Sequence, residues 1–273
     1  MPIAEALPWT DPQQRIHPTA IIDPAAKLAD DVRVGPYSII GADVELGSGC
    51  VVGPHVVLRG PSVFGARNTF FQFASIGEGP QDLKFHGEDT RLEVGDDNVF
   101  REYCSIQRGT VPGGGLTRIG NRCLIMNYVH IAHDCLLGDD IILVNNTSLA
   151  GHVEIDDFAI LGGFTLVSQF LHIGAHVFSA MGSVINQNVP PYLLVSGHMA
   201  KPKNLNLTGL KRHGLDDAEL KALRQAYKLF YSQGLGMDEA LAQMQPLAAT
   251  APAVQRFIAF IENNRGGRAT IIR

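Results

Sequence analysis

Two histidines and an acid fall together in His130-Ile131-Ala132-His133-Asp134, and a third histidine follows in Leu149-Ala150-Gly151-His152. Imidazole ordinarily titrates near neutrality, so such a ring can take a proton from a hydroxyl or amine nucleophile and return it later. Asp134, next in sequence, could hold the ring's tautomer and favour the imidazolium. Gly151 would let a backbone N–H come close to a developing oxyanion. The same residues admit two other readings: a zinc site built from histidines, or side chains that serve only the packing of the fold. Residues 133 and 152 are 19 apart, and what that number means depends on the elements that carry them.

Other chemistries have little to stand on. Cys50, Cys104, Cys123 and Cys135 never reach a C-x-x-C spacing, and neither a G-x-S-x-G nor a nucleotide-binding glycine signature occurs. The glycine-rich Pro112–Arg118 segment lacks the Lys-Ser/Thr of a phosphate-binding loop and reads as a flexible excursion. His17, His55, His172 and His176 sit in ordinary turns, where a solvated or structural role is the expectation. The charge balance, 22 basic against 27 acidic residues for a formal −5, gives no reason to expect nucleic acid or an anionic membrane as partner. With no basic n-region and apolar run at the start, and no stretch of roughly 18 apolar residues, the chain reads as soluble and cytoplasmic, with its thiols reduced.

The carrier is a repeat. An aliphatic or aromatic residue recurs at every sixth position from Ile16 through Ile22, Leu28 and Val34 to Ile76, again at Val94, Phe100 and Ile106, and in a new register from Ile119 to Ile185. A helix wants a period of 3.6 and a hairpin meander a period of 2, so a period of six predicts a three-sided coil. Each hexad supplies one short strand and one turn, and three hexads of 18 residues close a rung. Residues 133 and 152, one rung plus one residue apart, then emerge near one corner. All four cysteines take the small inward position, as core packing. Residues 78–93 and 112–118 must leave the coil as loops, the first long enough to be functional. The hexads end at Pro190-Pro191, and helical spacing follows over 215–233, 237–244 and 252–263. The expected organisation is an N-terminal extension over 1–14, a coil over 15–190 and a helical domain over 191–273.

Taken together, Asn145-Asn146-Thr147-Ser148-Leu149-Ala150-Gly151-His152-Val153, His130-Ile131-Ala132-His133-Asp134, Gln81-Asp82-Leu83-Lys84-Phe85, Arg108-Gly109-Thr110 and Gly209-Leu210-Lys211-Arg212 resemble the UDP-N-acetylglucosamine acyltransferases of lipid A synthesis. The match runs from about residue 15 to the C-terminus. It implies a mainly β fold, a left-handed parallel β-helix with a C-terminal α-helical domain, assembled as a homotrimer with active sites between subunits. It also implies an acyltransferase that needs no cofactor or metal and takes a 3-hydroxyacyl group from acyl carrier protein to the 3-hydroxyl of UDP-N-acetylglucosamine, the first step of lipid A biosynthesis. His133 would be the general base, oriented by Asp134, with the Gly151 N–H facing the oxyanion.

By the same resemblance His130 and His152 would line the cleft, and Gln81, Asp82, Lys84 and Gln169 would touch donor or sugar. Asn206 and Arg212 would meet the nucleotide, and the basic run Lys211-Arg212-His213 with its neighbours would offer positive charge to the carrier protein. Met181 falls at the acyl-chain ruler, where glycine leaves a long channel open; a methionine there implies a chain of about ten carbons, because overpacking a tight channel costs ~1 to 3 kcal/mol. Gln107, Ser168, Thr208 and His213 depart from the family's usual residues. They leave open an acceptor with a 3-amino group, N-acylated through the same His133, and a zinc carbonic anhydrase on the same fold is the remaining rival.

Overall fold

A computed structural model describes residues 15–273; the extension expected over 1–14 lies outside them. Each hexad forms a strand of mostly two residues, and the strands stack into three sheets of nine, eight and ten members, parallel throughout except for the last strand of the ten-stranded sheet. One rung runs through Ile39–Ile40, Val44–Leu46 and Val51–Val52, one strand in each sheet. Successive rungs pair in register, Ile21 with Ile39 and Ile39 with Val57, so identical hexad positions lie one above another. The inward residues Ile40, Leu58, Ile76, Ile106, Ile131 and Leu149 are 0–1% exposed. The four cysteines are buried among them. Burial pushes the Cys50 thiol up to about 11 and those of Cys104, Cys123 and Cys135 to about 12, which makes them poor nucleophiles. Where the inward position is polar, at Ser179, its hydroxyl is 2.7 Å from Thr165 Oγ1 and accepts from the Gly162 N–H at 3.0 Å.

The corners set the direction of side chains. Tyr37, His55, Phe73, Tyr103 and Tyr128 all take φ between 55° and 64°, the left-handed region, which costs a non-glycine residue ~1 to 2 kcal/mol. Their rings stack with centroids 4.9–5.3 Å apart, along the edge between the ten- and nine-stranded sheets. Pairs of this kind return about 0.5–1.5 kcal/mol each, so the ladder offsets much of the strain of its own turns.

The two insertions are shorter than their expected bounds, because their ends are strands. Ser75–Glu78, Arg91–Val94, Ser105–Gln107 and Leu116–Ile119 all join the sheets, which leaves loops over 79–90 and 108–115. Rung partners across them are 30 residues apart, as for Asn68 and Asn98, and then 25 apart, as for Asn98 and Cys123. Both loops leave from the corner between the nine- and eight-stranded sheets. They therefore lie one above the other.

The coil also continues past the expected boundary at 190. Leu193–Ser196 pairs in parallel with Phe178–Ser179, and Lys201–Leu205 folds back antiparallel on it. The prolines break the hexad phase, but Leu193 and Val195 still alternate inward and are fully buried. A short helix absent from the sequence reading, α1 (Leu207–Arg212), comes next; Asn206 caps it by accepting from the Gly209 N–H. Helices α2 (Asp217–Tyr231), α3 (Met237–Ala248) and α4 (Pro252–Asn264) pack through Leu220, Leu223, Phe230, Met244, Phe257 and Ile261. Helix α3 runs four residues beyond the expected Met244 and carries Pro246 in its last turn. No helix among the described residues is long and apolar enough to cross a membrane.

Candidate active site

The corner that carries the loops also carries Asp134, His152 and Phe170, spaced by one rung and all with φ of 61–63°. It is Asp134, not His133, that lies directly under His152. His133 lies under Gly151, and a Cβ built on Gly151 would sit 2.6 Å from His133 Cε1 and 2.9 Å from Nε2. Glycine is needed there to make room for the ring. The Gly151 carbonyl accepts from the Phe170 N–H, while its own N–H makes no hydrogen bond among the described residues and is free to act as a donor.

His133 Nδ1 lies 2.7 Å from Asp134 Oδ2. With the carboxylate as acceptor, the ring proton rests on Nδ1 and Nε2 is left to receive another. Asp134 is itself closely held: its side chain is 1% exposed, Oδ1 accepts the Thr110 N–H at 2.7 Å, and Oδ2 accepts the Thr110 hydroxyl at 2.6 Å. Its own N–H donates to Thr117 Oγ1. Gly113 lies against the carboxylate so closely that any side chain there would collide with it. The glycine-rich loop expected to be a flexible excursion is thus the clamp on Asp134, with its 3-10 turn at Val111–Gly113 pressed over the acid.

His152 Nε2 stands 3.6 Å from the same Asp134 oxygen. Its ring meets that of His133 edge-on at 5.2 Å and stacks on Phe170 at 4.3 Å. Burial, against the pull of Asp134, holds the His152 pKa below its ordinary value, which favours the neutral ring. His133, Asp134 and His152 offer ligand atoms within 4.8 Å of one another. Both Asp134 oxygens and His133 Nδ1 already make hydrogen bonds, however, which leaves the imidazole Nε2 atoms as the uncommitted donors, fewer than the three protein ligands of a usual catalytic zinc site. The donors fit a proton-transfer pair better than a zinc site.

Around this pair lies a cleft of about 1140 Å³. It is lined by Gln81, Asp82, Leu83 and Lys84 of the first loop together with His133, His152, Gln169, Phe170 and Arg268. The first loop turns tightly, with the Lys84 N–H donating to Asp82 Oδ1, and is anchored by the Gln81 N–H donating to Gln107 Oε1 at 3.2 Å. Gln107 is 3% exposed, and its side chain serves the loop.

Four expected site residues do not join the cleft. His130 faces out from the nine-stranded sheet, is bound to Ser105 Oγ at 2.7 Å, and has its pKa lowered by burial. Asn206 spends its side chain capping α1 and donating to the His176 carbonyl, at the corner between the eight- and ten-stranded sheets. Arg212 is exposed on α1. Met181, 78% exposed, stands on the corner between the ten- and nine-stranded sheets. The sequence reading missed Gly113, Phe170 and Arg268 as parts of this site. Phe170 could have been found, since it is His152 plus one rung; Arg268 could not, for no repeat leads to it.

Comparison with known proteins identifies the family. Residues 188–270 match the model of the second domain of UDP-N-acetylglucosamine O-acyltransferase, and 25–60 and 116–151 match bacterial transferase hexapeptide repeats. The acyl-[acyl-carrier-protein]–UDP-N-acetylglucosamine O-acyltransferase of Alkalilimnicola ehrlichii is 52% identical over 253 residues, 92% of this chain and 98% of that protein. The chain belongs to the acyl-ACP–UDP-N-acetylglucosamine O-acyltransferase family. The O-acyltransferase of Thiobacillus denitrificans is equally similar, 52% identical over 92% of this chain and 98% of its own length. Among solved structures, the family's enzyme from Acinetobacter baumannii superposes with a TM-score of 0.92 at 42% identity, over 95% of this chain and 100% of that one. The enzyme from Moraxella catarrhalis gives 0.91 at 43%, with the same coverage. The fold is therefore the family's left-handed parallel β-helix with C-terminal helices, and the protein is an acyltransferase rather than a metal hydratase.

Proposed function

We propose that this acyltransferase moves a 3-hydroxyacyl group of about ten carbons from acyl carrier protein to the 3-hydroxyl of UDP-N-acetylglucosamine, with His133 as general base. His133 Nε2 takes the hydroxyl proton as the oxygen attacks the thioester carbonyl. Asp134, fixed by Thr110, stabilises the imidazolium that forms. The free Gly151 N–H donates to the tetrahedral oxyanion. Collapse breaks the carbon–sulfur bond, and the imidazolium returns its proton to the departing thiolate, so no metal or cofactor enters the balance. The observation that carries this reading is the clamped pair: an imidazole Nδ1 2.7 Å from a buried carboxylate, beside a glycine N–H without a hydrogen-bond partner among the described residues.

This reading calls for a homotrimer, because the remaining residues are dispersed. One prism presents His133, Asn206 and Met181 on three different corners, and only neighbouring prisms packed side by side could gather such groups around one substrate. In that arrangement Asn206 and Arg212 meet the nucleotide, and Met181 ends the acyl channel. Met181 stands three rungs beyond Asn127 on its corner, about 14 Å at the usual strand spacing. The basic surface around Lys211 and Arg212 receives the acidic carrier, in the cytoplasm where both substrates are made. The test is product formation from UDP-N-acetylglucosamine with 3-hydroxydecanoyl and 3-hydroxymyristoyl carrier proteins, with Met181→Gly beside the parent. Expected are an ester product, a preference of the parent for the shorter donor, and its reversal in the variant; a parent that favours the longer donor would overturn the ruler.

A further inference from the structure

The end of the chain is clasped to the last rung of the coil. The Asn188 N–H donates to the Thr270 carbonyl at 2.8 Å, the Ile272 N–H donates to the Asn188 carbonyl at 2.9 Å, and the Asn188 side chain donates to the Ala269 carbonyl. Ile271 and Ile272 are buried. Asn188 stands one rung beyond Phe170 on the corner of Asp134 and His152, so this clasp delivers Arg268 to the cleft. Its guanidinium lies 4.4 Å from the centroid of Phe170, the ring that stacks on His152.

Arg67, Arg122 and Arg265 each have a carboxylate partner. Arg268 makes no ion pair among the described residues, although Asp82 and Glu154 line the same cleft. It is a guanidinium held by its face against an aromatic ring and by its backbone against a rung, with its N–H edges unspent. That planar fork suits two oxygens of one phosphate, as a flexible ammonium would not.

We propose that Arg268 binds phosphate oxygens of a substrate in this cleft. Two sources share that chemistry: the pyrophosphate of the nucleotide sugar and the phosphodiester of the carrier's pantetheine arm. The inference rests on the cleft's being the reacting site. The carbons and thioester of the donor and the sugar ring offer no anion, so without Arg268 a phosphate in this cleft would meet only Lys84 among the lysines and arginines that line it.

Steady-state kinetics of the full-length Arg268→Ala and Arg268→Lys variants, with His133→Ala alongside, test it. A lost charge-assisted contact should raise one KM about tenfold and leave kcat within about twofold. A raised KM for UDP-N-acetylglucosamine identifies the pyrophosphate. A raised KM for the acyl carrier protein identifies the pantetheine arm, and the variant should then no longer distinguish an acyl-phosphopantetheine donor from its dephosphorylated form. Arg268→Lys should recover part of the loss. If both KM values stay within twofold while His133→Ala is inactive, the phosphate contact is wrong and the site stands. A fall in melting temperature and kcat with unchanged KM values would make Arg268 a structural clasp only and overturn the inference. Full activity in His133→Ala would remove the site itself, and Arg268 with it.

Discussion

Two edges of the nine-stranded sheet use the same backbone for opposite ends. On one, Tyr37, His55, Phe73, Tyr103 and Tyr128 occupy left-handed corner positions and stack their rings nearly parallel, so that His55 is packing material between Tyr37 and Phe73. On the other, Asp134, His152 and Phe170 take the same corner conformation, but a carboxylate interrupts the stack and His152 is left with an acid on one side and a ring on the other. Only the second edge carries the two loops. Those loops bring Thr110 and Gly113 onto Asp134 and Gln81–Lys84 opposite His133. Under the proposed function, what sets this corner apart from the other is a polar ladder with loops packed against it; the repeat alone does not supply either.

The comparison breaks most sharply at the two histidines themselves. His133→Ala should lower transfer by on the order of 10²–10⁴-fold. His55→Ala should leave the rate within about twofold and cost only ~0.5–1.5 kcal/mol of stability for each lost stack. Parallel rate assays and melting curves separate the two, and equal rate losses would erase the distinction between the corners. Next in size is Gly151→Ala. Its methyl must displace the His133 ring, so a rate loss of about 10²-fold is expected from misplacement alone, with little change in melting temperature; an active variant would mean that the ring need not sit where it does.

Thr110→Val tests the clamp. It leaves Asp134 Oδ2 without its hydroxyl donor, which should cost about 1–3 kcal/mol in denaturant unfolding and roughly tenfold in kcat. If only stability falls, the loop is a structural brace. The smallest effect concerns the third corner, where His176 lies buried against Phe158, Tyr192 and His213, with Arg256 also near. Burial, reinforced by His213 and Arg256, depresses its pKa to about 4. The unfolded chain therefore binds a proton more readily than the folded one. His176 contributes stability that is fully present above about pH 6.5 and is lost as the pH falls toward 4, by up to roughly 3 kcal/mol. His176→Phe should flatten the stability profile over that window, as read by melting temperature against pH; an unchanged slope would assign it to other groups.

The period of six was enough to predict the three-sided coil, the buried cysteines and the loops, because each follows from which residues can face a narrow apolar interior. His133 and Asp134 stood out for the same local reason, two titratable types side by side. The coil's extension to Leu205 escaped because the prolines hid the phase, and α1 escaped because six residues carry too little periodicity to read. Asn206 was implied as a nucleotide contact and Gln107 stood out only as a departure, yet their partners are α1 with the His176 carbonyl and Gln81, and those contacts come from distant parts of the chain.

By itself the sequence determined the architecture and singled out the adjacent His133 and Asp134, since periodicity and adjacency are properties of the chain read in order. Tertiary structure alone decided that a glycine-rich loop clamps Asp134, that Gly151 makes room for a ring, and that Arg268, 98 residues beyond Phe170, reaches the same cleft. Those outcomes depend on which rung stacks on which and on where the chain's end is tied. Such distances close only when the fold does.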